Sequence, residues 1–189
     1  MWNASKAFVH IPDLQQAVGQ IIAEATGADA GLPTAGASNA IMLAAGACMM
    51  KGTELEEYDP IEEETWSHLI QKLPMHTEGL KTEFVVQKSN RDKYDMAVEL
   101  AGGRFVEVGI DEGTTEEELD AAFSPEKTAG YYFTPRSAQS MGYKCFPLET
   151  VIRIAHKNGV PVVVDAANEL PPKKNLRRYI AMGADLVIF

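Results

Sequence analysis

Basic residues and cysteines are scarce in this sequence, and long apolar runs are missing. Lys and Arg total 17 against 27 Asp and Glu, a formal charge of -10. A surface this acidic repels a phosphate backbone, so nucleic acid is not an expected partner. The two cysteines, Cys48 and Cys145, stand far apart with no metal-ligand spacing, which points to a reduced, cytoplasmic protein rather than a disulfide scaffold. His10, His68, His76 and His156 form no local metal motif. No stretch reaches the roughly eighteen consecutive apolar residues of a membrane span, and the opening MWNASKAFVHIPD lacks the apolar core of a signal peptide. No G-x-S-x-G elbow occurs, and Gly102-Gly103 precedes a strand instead of following one, so it is no dinucleotide fingerprint.

What is present suffices for one domain, since 46% of 189 residues are hydrophobic. Helical spacing of Leu14, Ala17, Val18, Ile21, Ile22 and Ala25 predicts a helix over 13–26, with Asp13 as its cap and Gly27 as its stop. Further helices are expected over 40–50, from Pro60 to Leu73, from the cap Asp92 to Leu100, over 115–123 and 148–157, and over 176–182 after the cap Asn175. Five apolar runs, 84–86, 104–108, 130–133, 160–164 and 185–189, read as strands. Because these strands lack an alternating polar face and alternate with helices, the expected fold is α/β, a mainly parallel sheet covered by helices. A sheet ending on an apolar strand at Phe189 reads as part of a longer chain.

Three places could carry chemistry. Thr34-Ala35-Gly36-Ala37-Ser38-Asn39 leads into a helix, where free amides and a hydroxyl can hold a phosphate; the same residues also suit a plain turn with a small-residue cap. Asp165-Ala166-Ala167 follows the strand Pro161 to Val164, at the end of a parallel strand that borders a ligand crevice. There Asp165 can pair with a protonated heterocyclic nitrogen while Ala167 leaves room for a flat ring, or Asp165 can simply accept amide hydrogen bonds in a turn. The third is Gln87 to Arg91, where Arg91 is either an anion fork or a solvated loop charge. Asp185 begins its strand and has a structural reading, and His156 sits in a last helical turn, where it would meet the helix dipole.

Three blocks, GLPTAGASNAIMLAAGACM, EFVVQKSNRDKYDMAVELAGGRFVEVG and PLETVIRIAHKNGVPVVVDAANELPPKKNLRRYIAMGADLVIF, resemble the selenocysteine-synthase-like branch of the fold-type-I pyridoxal-phosphate enzymes. The resemblance implies an aspartate-aminotransferase-like fold, with residues 1–189 as a partial large domain. The C-terminal small domain and a Ser-Gly-Gly-Lys segment carrying the covalent lysine would lie past Phe189, and the 189 residues alone would be inactive. It further implies pyridoxal phosphate as cofactor, with Gly36, Ala37 and Ser38 on its phosphate, Asp165 on its ring nitrogen, Ala167 under the ring and Asn90 near its face. The implied reaction is elimination from a small amino acid or amino-sugar acid by a homo-oligomer. A selenium transferase acting on seryl-tRNA, or a catalytically silent interaction domain, are the alternatives.

Overall fold

Strands without a polar face must be covered on both sides, and the chain meets that demand with one sheet between two helical layers. The computed structural model describes residues 6–59 and 62–189. Its strands are β1 (Glu83–Gln87), β2 (Arg104–Val108), β3 (Thr128–Phe133), β4 (Val162–Asp165) and β5 (Leu186–Ile188). They form a five-stranded, all-parallel sheet in the order β2-β1-β3-β4-β5. Each of the five expected strands is present, β2 with its bounds as expected and the others with an end shifted by no more than two residues. One shift matters: Asp165 is the last residue of β4 rather than the first of the following turn.

The helices are α1 (Ile11–Thr26), α2 (Ala37–Met50), α3 (Glu63–Lys72), α4 (Met96–Leu100), α5 (Glu116–Ala121), α6 (Pro135–Met141), α7 (Leu148–Lys157) and α8 (Asn175–Ala181). One sheet face, with Phe84, Tyr132, Val163 and Ile188, packs on α2 and α4. The opposite face, with Val85, Tyr131, Phe133, Val162 and Val164, packs on α5, α7 and α8. Each face buries a separate apolar cluster, which is the main stabilising term. The expected start of α3 at Pro60 lies outside the described residues.

Three expected caps are corrected. The N-cap of α1 is His10, and Asp13 sits inside the first turn beside Pro12, which favours an early start. Asp95, not Asp92, precedes α4, while Asp92 Oδ1 accepts from the Tyr94 amide. Asn175 is the first residue of α8, and its side chain donates to the Glu169 carbonyl, a tertiary bond that competes with capping. Thr115 does cap α5 through a reciprocal bond with Glu118. Helix α6 had no expectation, because its seven residues PRSAQSM carry no apolar repeat.

Two close approaches need glycine. The extended segment at Gly31 crosses α1 at Gly19, where a side-chain carbon on Gly31 would meet the Gly19 carbonyl oxygen at 2.9 Å. On β1, the Phe84 ring lies between Gly103 and Gly130, and a methyl on either would come within 2.9 Å of it. Gly130→Ala is expected to cost about 1–3 kcal/mol through overpacking. Adding Phe84→Leu should recover at least about 0.5 kcal/mol relative to additivity, since the two sites touch. Urea denaturation of the two single variants and the double variant checks this, and additive losses contradict the ring-and-glycine packing.

Candidate functional site

The sheet changes direction between β1 and β3: the chain leaves β1 toward β2 on one side and then crosses to β3, β4 and β5 on the other. In open α/β sheets the carboxyl edge at such a point forms a crevice. Ladder pairing between β1 and β3 runs only from Glu83 to Val85, so their ends part beyond it.

Asp165 closes β4 at this edge. Strand alternation places it on the same face as Val163, the face covered by α2. It is buried, accepts the Tyr132 hydroxyl on Oδ2 at 3.0 Å and accepts the Ala167 amide on Oδ1 at 3.1 Å. Burial raises its pKa, opposed by these two donors and reinforced by the negative charge of Asp92. Among the described residues it has no cationic partner. It is thus a buried carboxylate whose charge is balanced by two hydrogen bonds alone, the environment in which an added cation is most favoured.

Helix α2 supplies the opposite polarity. Near its C-terminal end, Cys48 faces Gly130 in the first half of β3 and lies within electrostatic reach of Asp185, just before β5. The helix therefore runs antiparallel to the strands, and its N-terminus lies at the same edge as Asp165. Gly36 is its N-cap, with φ 155°, a backbone shape that side-chain-bearing residues rarely adopt. No side chain caps the helix and no acid occupies its first turn. The amides of Ala37, Ser38 and Asn39 have no acceptor within the helix and are aligned with its positive pole. Gly36 and Ser38 are exposed, and Ala37 is half-buried. The helix starts three residues earlier than the sequence pattern indicated, which brings all three small residues into the amide-bearing turn.

Other residues depart from expectation. Asn90 is fully buried, and its carboxamide is committed to one backbone unit: Nδ2 donates to the Thr134 carbonyl at 2.9 Å and Oδ1 accepts the Thr134 amide at 3.1 Å. Both ends of the carboxamide are thereby engaged, and the side chain works as a clamp between the ends of β1 and β3. Arg91 is neither a free anion fork nor a solvated charge. It binds Asp95 and Glu107 and stacks over Phe105 with its guanidinium carbon 4.3 Å from the ring centre. His156 pairs with Asp185 at 2.8 Å, and Asp185 also accepts the Val162 amide, so the structural reading of Asp185 stands. Ala167 is exposed and contributes its amide to Asp165.

Two residues escaped the sequence reading. Tyr132 lies in a strand buried on both faces, where a phenol tip demands a polar partner, and that demand was the available signal. Thr134 follows β3 directly at the carboxyl edge and precedes Pro135 at the start of α6. Its Oγ1 is buried without a hydrogen bond of good geometry, although it lies near enough to Tyr132 to favour the ionised phenol slightly. An orphaned hydroxyl, an unpaired carboxylate and an uncapped helix start on one edge form a donor and acceptor set that fits a phosphorylated, cationic heteroaromatic ring such as pyridoxal phosphate.

No protein-family model matches the chain. It is 34% identical over 194 residues to a 5'-C-glycyluridine monooxygenase-decarboxylase of a Streptomyces species, covering 100% of this chain and 44% of that protein. It is 29% identical over 191 residues to the D-glucosaminate-6-phosphate ammonia lyase of Salmonella typhimurium, covering 99% and 46%. A solved structure of D-glucosaminate-6-phosphate ammonia-lyase superposes with a TM-score of 0.77 at 28% identity, over 98% of this chain and 46% of that one. The chain spans less than half the length of these relatives. Among the described residues no helix is long and apolar enough to cross a membrane. With a parallel α/β sheet that matches the lyase over nearly all of its residues, the chain has the fold of that enzyme and resembles it in sequence, in line with the resemblance to the fold-type-I pyridoxal-phosphate enzymes.

Proposed function

We propose that the crevice at the carboxyl edge holds pyridoxal phosphate and that the protein carrying this chain is a lyase. It would release ammonia by elimination from an amino acid or amino-sugar acid. The observation that carries this reading is Asp165, a buried strand-end carboxylate with no cationic partner among the described residues, on the same edge as the uncapped start of α2. When bound, the cofactor supplies an electron sink for charge that develops at the substrate α-carbon.

The chain's own residues then have separate tasks. The amides of Ala37 and Ser38, the Ser38 hydroxyl and the tight Gly36 backbone hold the phosphate at the helix's positive pole. Asp165 holds a proton on the ring nitrogen, and Ala167 leaves space for the flat ring. Asn90 acts through Thr134 by fixing the edge of the crevice. The covalent lysine and the small domain are assigned to the part of the relatives' length that this chain does not cover, residues 1–189 being a partial large domain. Exposed Ile11, Leu14 and Ile21 along α1 support a homo-oligomer.

A second reading is favoured by the higher identity, 34%, to the monooxygenase-decarboxylase. Both relatives' names denote an amino acid carried on a sugar-derived skeleton, so the substrate class is shared while the reaction differs. Assaying the complete protein with amino-sugar acids and glycyl nucleosides separates the two. Ammonia and a 2-oxo acid formed without oxygen uptake supports the lyase; oxygen consumption with release of carbon dioxide rejects it in favour of the second reading.

Two variants test the site. Asp165→Asn in the complete protein should retain part of its cofactor binding yet lose about 100-fold or more in turnover, the scale of a lost preorganised charge. Folding raises the Asp165 pKa, so the folded state holds that proton more tightly than the unfolded chain does. Its contribution to stability is full in acid and is lost as pH rises through the folded value. At neutral pH the ionised carboxylate is therefore a cost, and Asp165→Asn should stabilise the cofactor-free protein by about 0.5–2 kcal/mol, seen as a higher melting temperature. Gly36→Ala should weaken pyridoxal-phosphate binding about tenfold, because the φ of 155° there imposes strain of roughly 1–3 kcal/mol on any other residue. Fluorescence titration measures this, and an unchanged affinity contradicts the phosphate assignment.

A further inference from the structure

Asp165 is oriented by a neighbour whose placement is unusual for a sheet interior. Tyr132 pairs in register with Val163, two residues before Asp165, so the two side chains are diagonal neighbours on one face. A long aromatic side chain can span that diagonal. The phenol is 1% exposed, and its ring meets Phe105 edge-on at 5.7 Å and 70°. Phe105 is itself held beneath Arg91, which is fixed by Asp95 and Glu107. A chain of packed groups thus runs from the β2 side of the sheet to one oxygen of Asp165, and the Ala167 amide holds the other oxygen.

We infer that Tyr132 is a positioning residue: its hydroxyl, donated to Asp165 Oδ2 at 3.0 Å, sets the direction of the carboxylate and keeps it anionic toward the cofactor's ring nitrogen. This rests on the reading of Asp165 given above. Burial, followed by the charge of Asp165, pushes the Tyr132 pKa far up, so the phenol stays a donor at every working pH. A neutral donor that never ionises suits this task, because it favours the carboxylate over the carboxylic acid without adding a competing charge. With two donors fixing its plane, Asp165 retains a free lone pair on each oxygen for a further partner. The charged groups that bear on the pair are Asp92 for Asp165 and Asp95 for Tyr132, while the first turn of α2 brings no acid.

A phenol that merely fills space would affect stability alone. The test uses the complete protein, Tyr132→Phe and Asp165→Asn, with isotope-labelled aspartate and pyridoxal phosphate labelled at the ring nitrogen, followed by NMR across pH. In cofactor-free Tyr132→Phe the Asp165 carboxyl should titrate at higher pH than in the wild type. In the loaded variant the ring nitrogen should lose its proton at lower pH, and cofactor affinity should fall about tenfold, as for a lost charge-assisted hydrogen bond. If Asp165→Asn changes the ring-nitrogen signal while Tyr132→Phe leaves both titrations at wild-type values, the inference is overturned and the Asp165 reading survives. If Asp165→Asn leaves that signal unchanged, the Asp165 reading itself fails. Should Tyr132→Phe not fold, labelled tyrosine in the wild type decides: the Tyr132 phenol carbon must shift as Asp165 ionises, and indifference overturns the inference.

Discussion

The carboxyl edge depends on how the chain closes the gap between β1 and β3, where ladder pairing ends at Val85 and Tyr131. Parted strands inside a covered sheet would leave backbone groups without partners, which costs more than most single contacts gain. Two carboxamides bridge the gap, one to backbone groups and one to side chains and the segment before α7. Asn90 exchanges two hydrogen bonds with the Thr134 backbone, and Gln87 donates to the Tyr131 hydroxyl and the Cys145 sulfur while accepting the Phe146 amide. Both side chains are fully buried. The gap between the strand ends is thus bridged by buried side chains, and Asn90 fixes the position of Thr134.

Much of the architecture was legible because strand burial on both faces is written directly into composition: Val162, Val163 and Val164 admit no polar side. The edge location of Asp165 followed from the same logic. Caps were read poorly, since an Asx side chain that finds a tertiary acceptor abandons the helix start, as Asn175 does for Glu169. The commitments of Arg91 and Asn90 were only partly legible: Asp95, four residues from Arg91, was within reach of a local reading, but Glu107 and Thr134 come from other elements. Helix α6 lacks an apolar repeat and is set by Pro135 at its start.

Asp165 sets charge against packing. A strand end packed on valine and tyrosine would be better filled by a neutral residue, and burial accordingly pushes the Asp165 pKa up. The carboxylate is tolerated because Tyr132 and Ala167 each return part of the hydration it lost. Such local conflict between packing and charge is expected where a site must bind a cation.

The brace behind the crevice joins distant parts of the chain. Glu169, in the loop after β4, accepts from Tyr179 of α8 and is held by Asn175, while Arg177 of the same helix donates to the carbonyls of Glu24 and Ala25 at the end of α1. Helix α1 in turn carries the Gly31 segment that leads to Gly36. The Arg177 contacts span 152 and 153 residues of sequence, so the turn before α2 and the loop after Asp165 come into mutual register only once a very long loop has closed. A comparable separation divides α2 from Val163 and Ile188, on which it packs, so the core and the carboxyl edge depend on closures of similar length, and a change in α1 or α8 bears on both.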